Sequence, residues 1–317
     1  MRDVKRIGIV GTGTMGEGIA YQAIMNEFEA WLYDVQVETL EQAVEKIARL
    51  VKQQSDRGRI LGDLANILER LRTVGVLGDL CSCDFIIEAV TEDLAVKHSV
   101  FQELDAVCAP DVVLATNTSA KSITEISAAA TRPERVVGMH FFNPVHRMEL
   151  VEVVQGLESA DWAVEQTEAV GRRLGKETIR VNERPGVVTS RISALVGNEA
   201  FYMLMEGVSS AEEIDKAIKQ GLHFPMGPFE LGDLVGWDTR LHVLEYLHQS
   251  LGEKFRPCPL LVQYVRAGRL GKKVGRGVYE YDEQGRRIPG SASSLRRRDG
   301  APGDGRNRGR AGVHSDE

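Results

Sequence analysis

His140 closes a β-branched run over residues 135–139 and opens the segment His140-Phe-Phe-Asn143-Pro144. Glu152 follows within Leu150-Val-Glu-Val-Val154, a charged residue set among valines. A carboxylate alternating with apolar residues in a strand-like run needs a partner. If the chain turns at Asn143-Pro144, the two runs lie side by side and the carboxylate meets the imidazole. An imidazole oriented by an acid is a proton acceptor, because the carboxylate fixes the tautomer and stabilises the imidazolium. That pair can take the hydroxyl proton when an alcohol is oxidised. A strand-capping histidine with a surface ion pair is the non-catalytic use of the same residues.

A second constellation would supply the other half of such a reaction. Ile7, Ile9 and Val10 lead into Gly11-Thr12-Gly13-Thr14-Met15-Gly16, and Ile19, Ala20, Ala23 and Ile24 follow at helical spacing. Strand, glycine turn and helix in that order form a dinucleotide fingerprint. Gly11 allows the tight turn, Gly13 lets the backbone approach a pyrophosphate, and Gly16 permits close helix packing. The phosphate sits on the free N–H groups and positive end of a helix starting near Thr14. Asp34 ends a second buried run, residues 30–33, where its carboxylate can accept both ribose hydroxyls and repel a 2′-phosphate. NAD is therefore expected over NADP. A glycine-rich turn in an unrelated α/β protein is the competing reading of the loop alone. Asn117-Thr118-Ser119 ends another run, residues 112–116, and faces the same crevice. A hydroxyl there can hold the substrate oxygen near His140, or simply cap a turn.

These residues need strands to carry them. Short apolar runs at 85–87, 112–114 and 136–137 alternate with helical patterns, which predicts a Rossmann-type doubly wound parallel sheet. From Glu38 to about Arg72 the apolar spacing predicts two helices with a break at 55–58. Further runs lie at 149–154 and 178–181. Beyond Arg184-Pro185-Gly186 the pattern becomes helical only, at 188–205, 211–220, 237–251 and 260–267. The expected division is a cofactor-binding domain over 1–184, an all-α domain over 185–284, and a disordered basic tail over 285–317. The helical part carries more apolar surface than a small bundle needs, which suggests a homodimer through it.

Composition sets outer bounds. The 317 residues are 43% hydrophobic and 27% charged, an ordinary globular balance for about two domains. The net charge is −7; the tail holds eight Arg against four acidic residues, so the rest of the chain carries −11. That argues against a nucleic-acid partner. No apolar stretch approaches the roughly 18 to 20 residues of a membrane span, and no signal peptide is evident. Four cysteines without metal-ligand spacing suggest a reduced, cytoplasmic setting.

In this order the motifs resemble those of the 3-hydroxyacyl-CoA dehydrogenase family over residues 4 to about 282. They are Gly11 to Gly16, Ile87-Glu88-Ala-Val90 with Glu92 and Lys97, Asn117-Thr-Ser119, His140 to Pro144, Leu150 to Val154, Pro225-Met-Gly-Pro-Phe-Glu230, Gly268 to Lys273 and Gly277-Val-Tyr279. The resemblance implies NAD-dependent interconversion of an L-3-hydroxyacyl-CoA and a 3-oxoacyl-CoA, short-chain in the bacterial 3-hydroxybutyryl-CoA type. It implies His140 as acid/base, Glu152 as its orienting partner and Ser119 as a substrate contact. Asp34, Glu92, Lys97 and Lys273 match dinucleotide-contacting positions, and Asn117 and Asn143 are assigned to the cofactor side with them. Arg57 or Arg59 could meet the CoA phosphates. Where the family has Val-Asn-Arg, this chain has Val188-Thr189-Ser190-Arg191, so Ser190 stands in the place of an Asn that assists the substrate carbonyl. A gulonate-type dehydrogenase and a non-catalytic NAD-binding protein remain the alternatives on this scaffold.

Overall fold

The computed structural model describes residues 2–60, 63–119 and 121–292. Its order is β1 (Arg6–Val10), α1 (Thr14–Met25), β2 (Glu29–Tyr33), α2 (Val37–Asp56), α3 (Leu64–Leu68), β3 (Leu71–Thr73), β4 (Phe85–Glu88), α4 (Leu94–Val107), β5 (Val113–Thr116), α5 (Ile123–Ser127), β6 (Val136–Phe141), β7 (Leu150–Gln155), α6 (Asp161–Arg173) and β8 (Glu177–Asn182). Helices α7 (Thr189–Glu206), α8 (Ala211–Gly221), α9 (Pro228–Val235), α10 (Trp237–Leu251) and α11 (Pro259–Arg266) complete it. The eight strands form one sheet in the order β3-β2-β1-β4-β5-β6-β7-β8, parallel except where β6 meets β7. The expected doubly wound fold is present, followed by the helical region.

Alternation along each strand decides which side chains enter which layer. Phe85 and Ile87 of β4 join the core cluster that contains α1 and α2, whereas Ile86 joins the cluster that contains Phe101 and Leu104 of α4. Likewise Val137, Met139 and Phe141 of β6 and Val151 and Val153 of β7 belong to the first cluster. Val136 and Val154 belong to the second. By the same parity His140 and Glu152 project to the second face, on the side of α4 and α5. The valines around Glu152 are thus core residues, and the carboxylate is the exception among them.

Two local expectations need correction. The helical reading to Arg72 overran, because the chain leaves α3 at Leu68 and pairs Leu71–Thr73 with β2. That strand sits at the sheet edge and carries only one half-buried side chain, so backbone pairing forms it rather than a hydrophobic pattern. Nor does the tail begin at residue 285. Ile288 donates its N–H to the Glu280 carbonyl, and the Arg287 guanidinium stacks 3.6 Å over the Tyr279 ring. The remainder of the expected tail, residues 293–317, lies outside the described residues.

The chain divides into two compact units. One runs to Ala194 and includes Val243–Arg256; the other holds Leu195–His242 and the described residues from Pro257 to Ala292. In the second, Phe201 packs edge-on against Phe229, Trp237 and Tyr264. Fully buried Asp233 accepts hydrogen bonds from the Trp237 indole, the N–H groups of Val278 and Tyr279 and the Tyr281 hydroxyl. No helix among the described residues is long and apolar enough to cross a membrane.

Candidate active site

The antiparallel pairing of β6 and β7 sets His140 directly opposite Glu152. The imidazole Nδ1 lies 2.8 Å from the carboxylate Oε2, with Glu152 fully buried and His140 only 7% exposed. The other oxygen, Oε1, accepts the Thr189 N–H at 3.0 Å. Burial alone would raise the Glu152 pKa, but the hydrogen bonds from His140 and Thr189 outweigh it and hold the carboxyl below the ordinary range. An ionised carboxylate can only accept, so Nδ1 carries the proton and Nε2 presents a lone pair. An imidazole held in this way can accept a proton at Nε2.

Ser119 follows β5 at the neighbouring strand end. Its N–H and hydroxyl both donate to Glu92 Oε1, at 2.9 and 3.3 Å, while Thr118 donates to Oε2 at 2.7 Å. Glu92 therefore anchors the turn that carries the hydroxyl. Beneath it, the Lys97 ammonium is 2.8 Å from Glu88 and 3.6 Å from Glu92, with its side chain 1% exposed. Lys97 is thus turned inward and supports Glu88 and Glu92 from behind. Asn117 uses its side-chain oxygen to accept the Phe141 N–H at 2.9 Å, tying β5 to the end of β6 beside His140. Asn143 is exposed two residues further on.

The glycine loop fits a dinucleotide. Gly11 has φ +90°, and a Cβ at Gly16 would fall 1.8 Å from the Gly11 carbonyl oxygen, so this turn and its helix pack only with glycine at both positions. Gly13 is the N-cap of α1 and supplies no side-chain cap, leaving the first N–H groups of Thr14, Met15 and Gly16 for a phosphate. A Cβ at Gly13 would meet nothing within 4 Å, so there is room for one. Asp34 Oδ2 accepts from the Thr12 N–H at 2.7 Å and hydroxyl at 3.0 Å, and Oδ1 accepts from Gln36 at 3.0 Å. Three of its lone pairs are thus engaged within the chain, one of them by the rotatable Thr12 hydroxyl.

Comparison with known proteins gives the family. Residues 6–184 match the NAD binding domain of 3-hydroxyacyl-CoA dehydrogenase, and residues 186–281 match its C-terminal domain. The chain belongs to the 3-hydroxyacyl-CoA dehydrogenase family. It is 41% identical over 284 residues to a probable 3-hydroxybutyryl-CoA dehydrogenase of Bacillus subtilis, covering 89% of this chain and 99% of that protein. A 3-hydroxybutyryl-CoA dehydrogenase of Bradyrhizobium diazoefficiens is 42% identical over 280 residues, covering 88% and 96%. The crystal structure of (S)-3-hydroxybutyryl-CoA dehydrogenase from Ralstonia eutropha superposes with a TM-score of 0.86 at 38% identity, covering 89% of this chain and all of that one. The protein is an NAD-dependent oxidoreductase whose family substrate is an acyl-CoA.

Three further positions of the dehydrogenase lie apart from the dyad's own hydrogen bonds. Arg57 is exposed at the C-cap of α2. Lys273 belongs to the second unit and is held by both oxygens of Asp238 at 2.7 Å, a partner that spacing along the chain did not suggest. Ser190 is half-buried on the first turn of α7, and its carbonyl accepts from Ser193. Its neighbour Thr189 is the residue that touches Glu152, and reasoning from sequence missed it. Glu88 was also missed as a support, although a carboxylate ending the apolar run Phe85-Ile-Ile was a legible signal.

Proposed function

We propose that this dehydrogenase interconverts short-chain L-3-hydroxyacyl-CoA, of the 3-hydroxybutyryl type, and the 3-oxoacyl-CoA, with His140 Nε2 as the proton acceptor and donor. The observation that carries the reading is the buried 2.8 Å contact of Nδ1 with Glu152, which leaves Nε2 as the basic atom. Glu152 orients the ring and stabilises it once protonated. Ser119 and Ser190 hold the substrate oxygen, Ser190 with a shorter reach than the family's Asn. Bound NAD supplies the hydride acceptor. Around it, the N–H groups of the Gly11–Gly16 loop hold the pyrophosphate, Asp34 takes a ribose hydroxyl, and Glu92, Asn117, Asn143 and Lys273 line the remainder, with Lys97 behind Glu92. Arg57 meets a CoA phosphate.

The division of labour follows the chain: cofactor binding over 1–184, and substrate binding and self-association over 185–284. Exposed apolar residues such as Leu222, Phe224 and Leu234 support a homodimer through the helical part. Four free cysteines support a cytoplasmic setting. Loss of NADH absorbance on adding acetoacetyl-CoA tests the activity. Turnover that disappears in His140→Ala is the expected result; no turnover by the parent protein overturns the reading.

A further inference from the structure

Among the described residues one buried polar side-chain atom has no hydrogen-bond partner, the hydroxyl oxygen of Thr189. Thr189 opens α7 within the first compact unit, and its own N–H already donates to Glu152 Oε1 at 3.0 Å. The turn that delivers it is constrained. Gly186 has φ +77°, and Val187, a β-branched residue, has φ +41°, a conformation such residues keep only where their surroundings impose it. Burial raises the Glu152 carboxyl, and the hydrogen bonds from His140 and the Thr189 N–H bring it down. The Thr189 hydroxyl, close by, adds to the lowering without reaching hydrogen-bond geometry. An unpaired buried hydroxyl is destabilising, and valine would fill the same space without that cost. The oxygen is also closed to solvent, so a substrate entering from the crevice does not reach it. Glu152 is the acceptor at hand.

We propose that Thr189 is a positioning residue of the proton-transfer pair, its hydroxyl turning to donate to Glu152 Oε1 while the imidazole is neutral and turning away once the imidazole is protonated. The inference rests on the assignment of His140 as the acid/base. What changes during the reaction is the charge of the pair. Beside a neutral imidazole the buried carboxylate carries an uncompensated negative charge, which in low-dielectric surroundings favours a further donor. Beside an imidazolium the pair is neutral, and the demand falls. Oε1 accepts only the Thr189 N–H among the described residues, and a carboxylate oxygen has room for a second donor. Rotation about one side-chain bond is all the movement required. By stabilising the state with a neutral imidazole, the hydroxyl makes His140 a readier proton donor to a 3-oxo group. The ionisable groups on neighbouring elements have other partners: Glu92 with Thr118 and Ser119, Arg180 of β8 with Glu168, Glu183 with Thr124, and Arg191 of α7 with the Phe255 ring. Burial pushes the Tyr246 hydroxyl of α10 up, so it stays uncharged. Replacing the Thr189 hydroxyl alters none of these contacts.

The test is an NMR pH titration of the His140 ring in the parent, Thr189→Val and Thr189→Ser, with the ring signal assigned by its loss in His140→Ala. Valine removes the donor, so the state with a neutral ring loses stabilisation and the titration midpoint should rise. A shift of about 0.4 to 1 pH unit is expected, the size of one net hydrogen bond. Serine keeps the donor and should titrate with the parent. In NADH-dependent reduction of acetoacetyl-CoA the imidazolium is the active form, so the alkaline limb of kcat/KM should move up by the same interval in Thr189→Val. The melting temperature of Thr189→Val should equal or exceed the parent's, since a methyl group replaces an unpaired hydroxyl. Coincident midpoints in the parent and Thr189→Val would overturn the proposal. So would an equal shift in Thr189→Ser, or a marked fall in the melting temperature of Thr189→Val, which would give the hydroxyl a structural partner in the parent. The ring titration needs no substrate. A shifted midpoint in a protein whose parent does not turn over acetoacetyl-CoA would therefore support the Thr189 contact while overturning the dehydrogenase reading beneath it.

Discussion

The Thr189 N–H, first of α7, donates to the one Glu152 oxygen that His140 does not use. The carboxylate is pinned between an imidazole on the adjacent strand and the positive end of a helix. With both oxygens engaged the carboxylate is held in place, and with it the ring whose Nδ1 it meets. Orientation here is a property of two backbone elements, not of one side chain.

Replacing His140 with Ala should lower kcat by about 10²- to 10⁴-fold, the usual contribution of a positioned acid/base. The NADH dissociation constant, read by fluorescence titration, should stay within about twofold. A parallel loss of NADH affinity would place the imidazole in cofactor binding instead.

Glu152→Gln keeps the shape but removes the charge. Its kcat should fall by about 10²-fold. Stability gives an independent check. The folded pKa of Glu152 is depressed, so its contribution is present above the unfolded value and is lost as pH falls through the folded one. The parent's melting temperature should therefore drop more steeply than that of Glu152→Gln below about pH 4.5, as thermal scans across the acid range would reveal. Identical acid profiles would contradict the depressed pKa.

Asp34→Ala removes both the ribose acceptor and the group that fixes Thr12. NADH should bind about tenfold more weakly, and its advantage over NADPH should shrink by a similar factor. Steady-state rates with the two cofactors measure this directly; an unchanged ratio would mean that selectivity lies elsewhere.

Asp233→Ala leaves three buried donors and the part-buried Tyr281 hydroxyl without that acceptor in the second unit. A loss of about 3 to 5 kcal/mol in unfolding free energy is expected, measurable by denaturant titration. A change below about 1 kcal/mol would show that water replaces the carboxylate there.

The dyad was readable because strand alternation and a turn signal together fix which residues face each other. The glycine loop was readable for a similar reason, since its spacing answers to a local turn. What escaped depended on contacts without a pattern. Leu71–Thr73 is an edge strand made by backbone pairing, and its Leu-Arg-Thr composition looks like the end of a helix. Thr189 acts through its N–H, which every residue but proline possesses. Lys97 bears a charge that usually marks a surface, and only its burial against Glu88 shows otherwise. Lys273 and Asp238 are 35 residues apart, a separation that carries no periodic signal.

The antiparallel pairing of β6 with β7 also distributes tolerance to insertion and deletion. One extra residue within 136–140 would turn His140 to the opposite face of the sheet, among Val137 and Met139, and separate it from Glu152. The same residue added between 142 and 149 would leave the register of the pair intact, and would disturb instead the seat of Val145 and the carbonyls that Lys176 holds. The meeting of His140 with Glu152 therefore answers to strand register rather than to the number of residues between them.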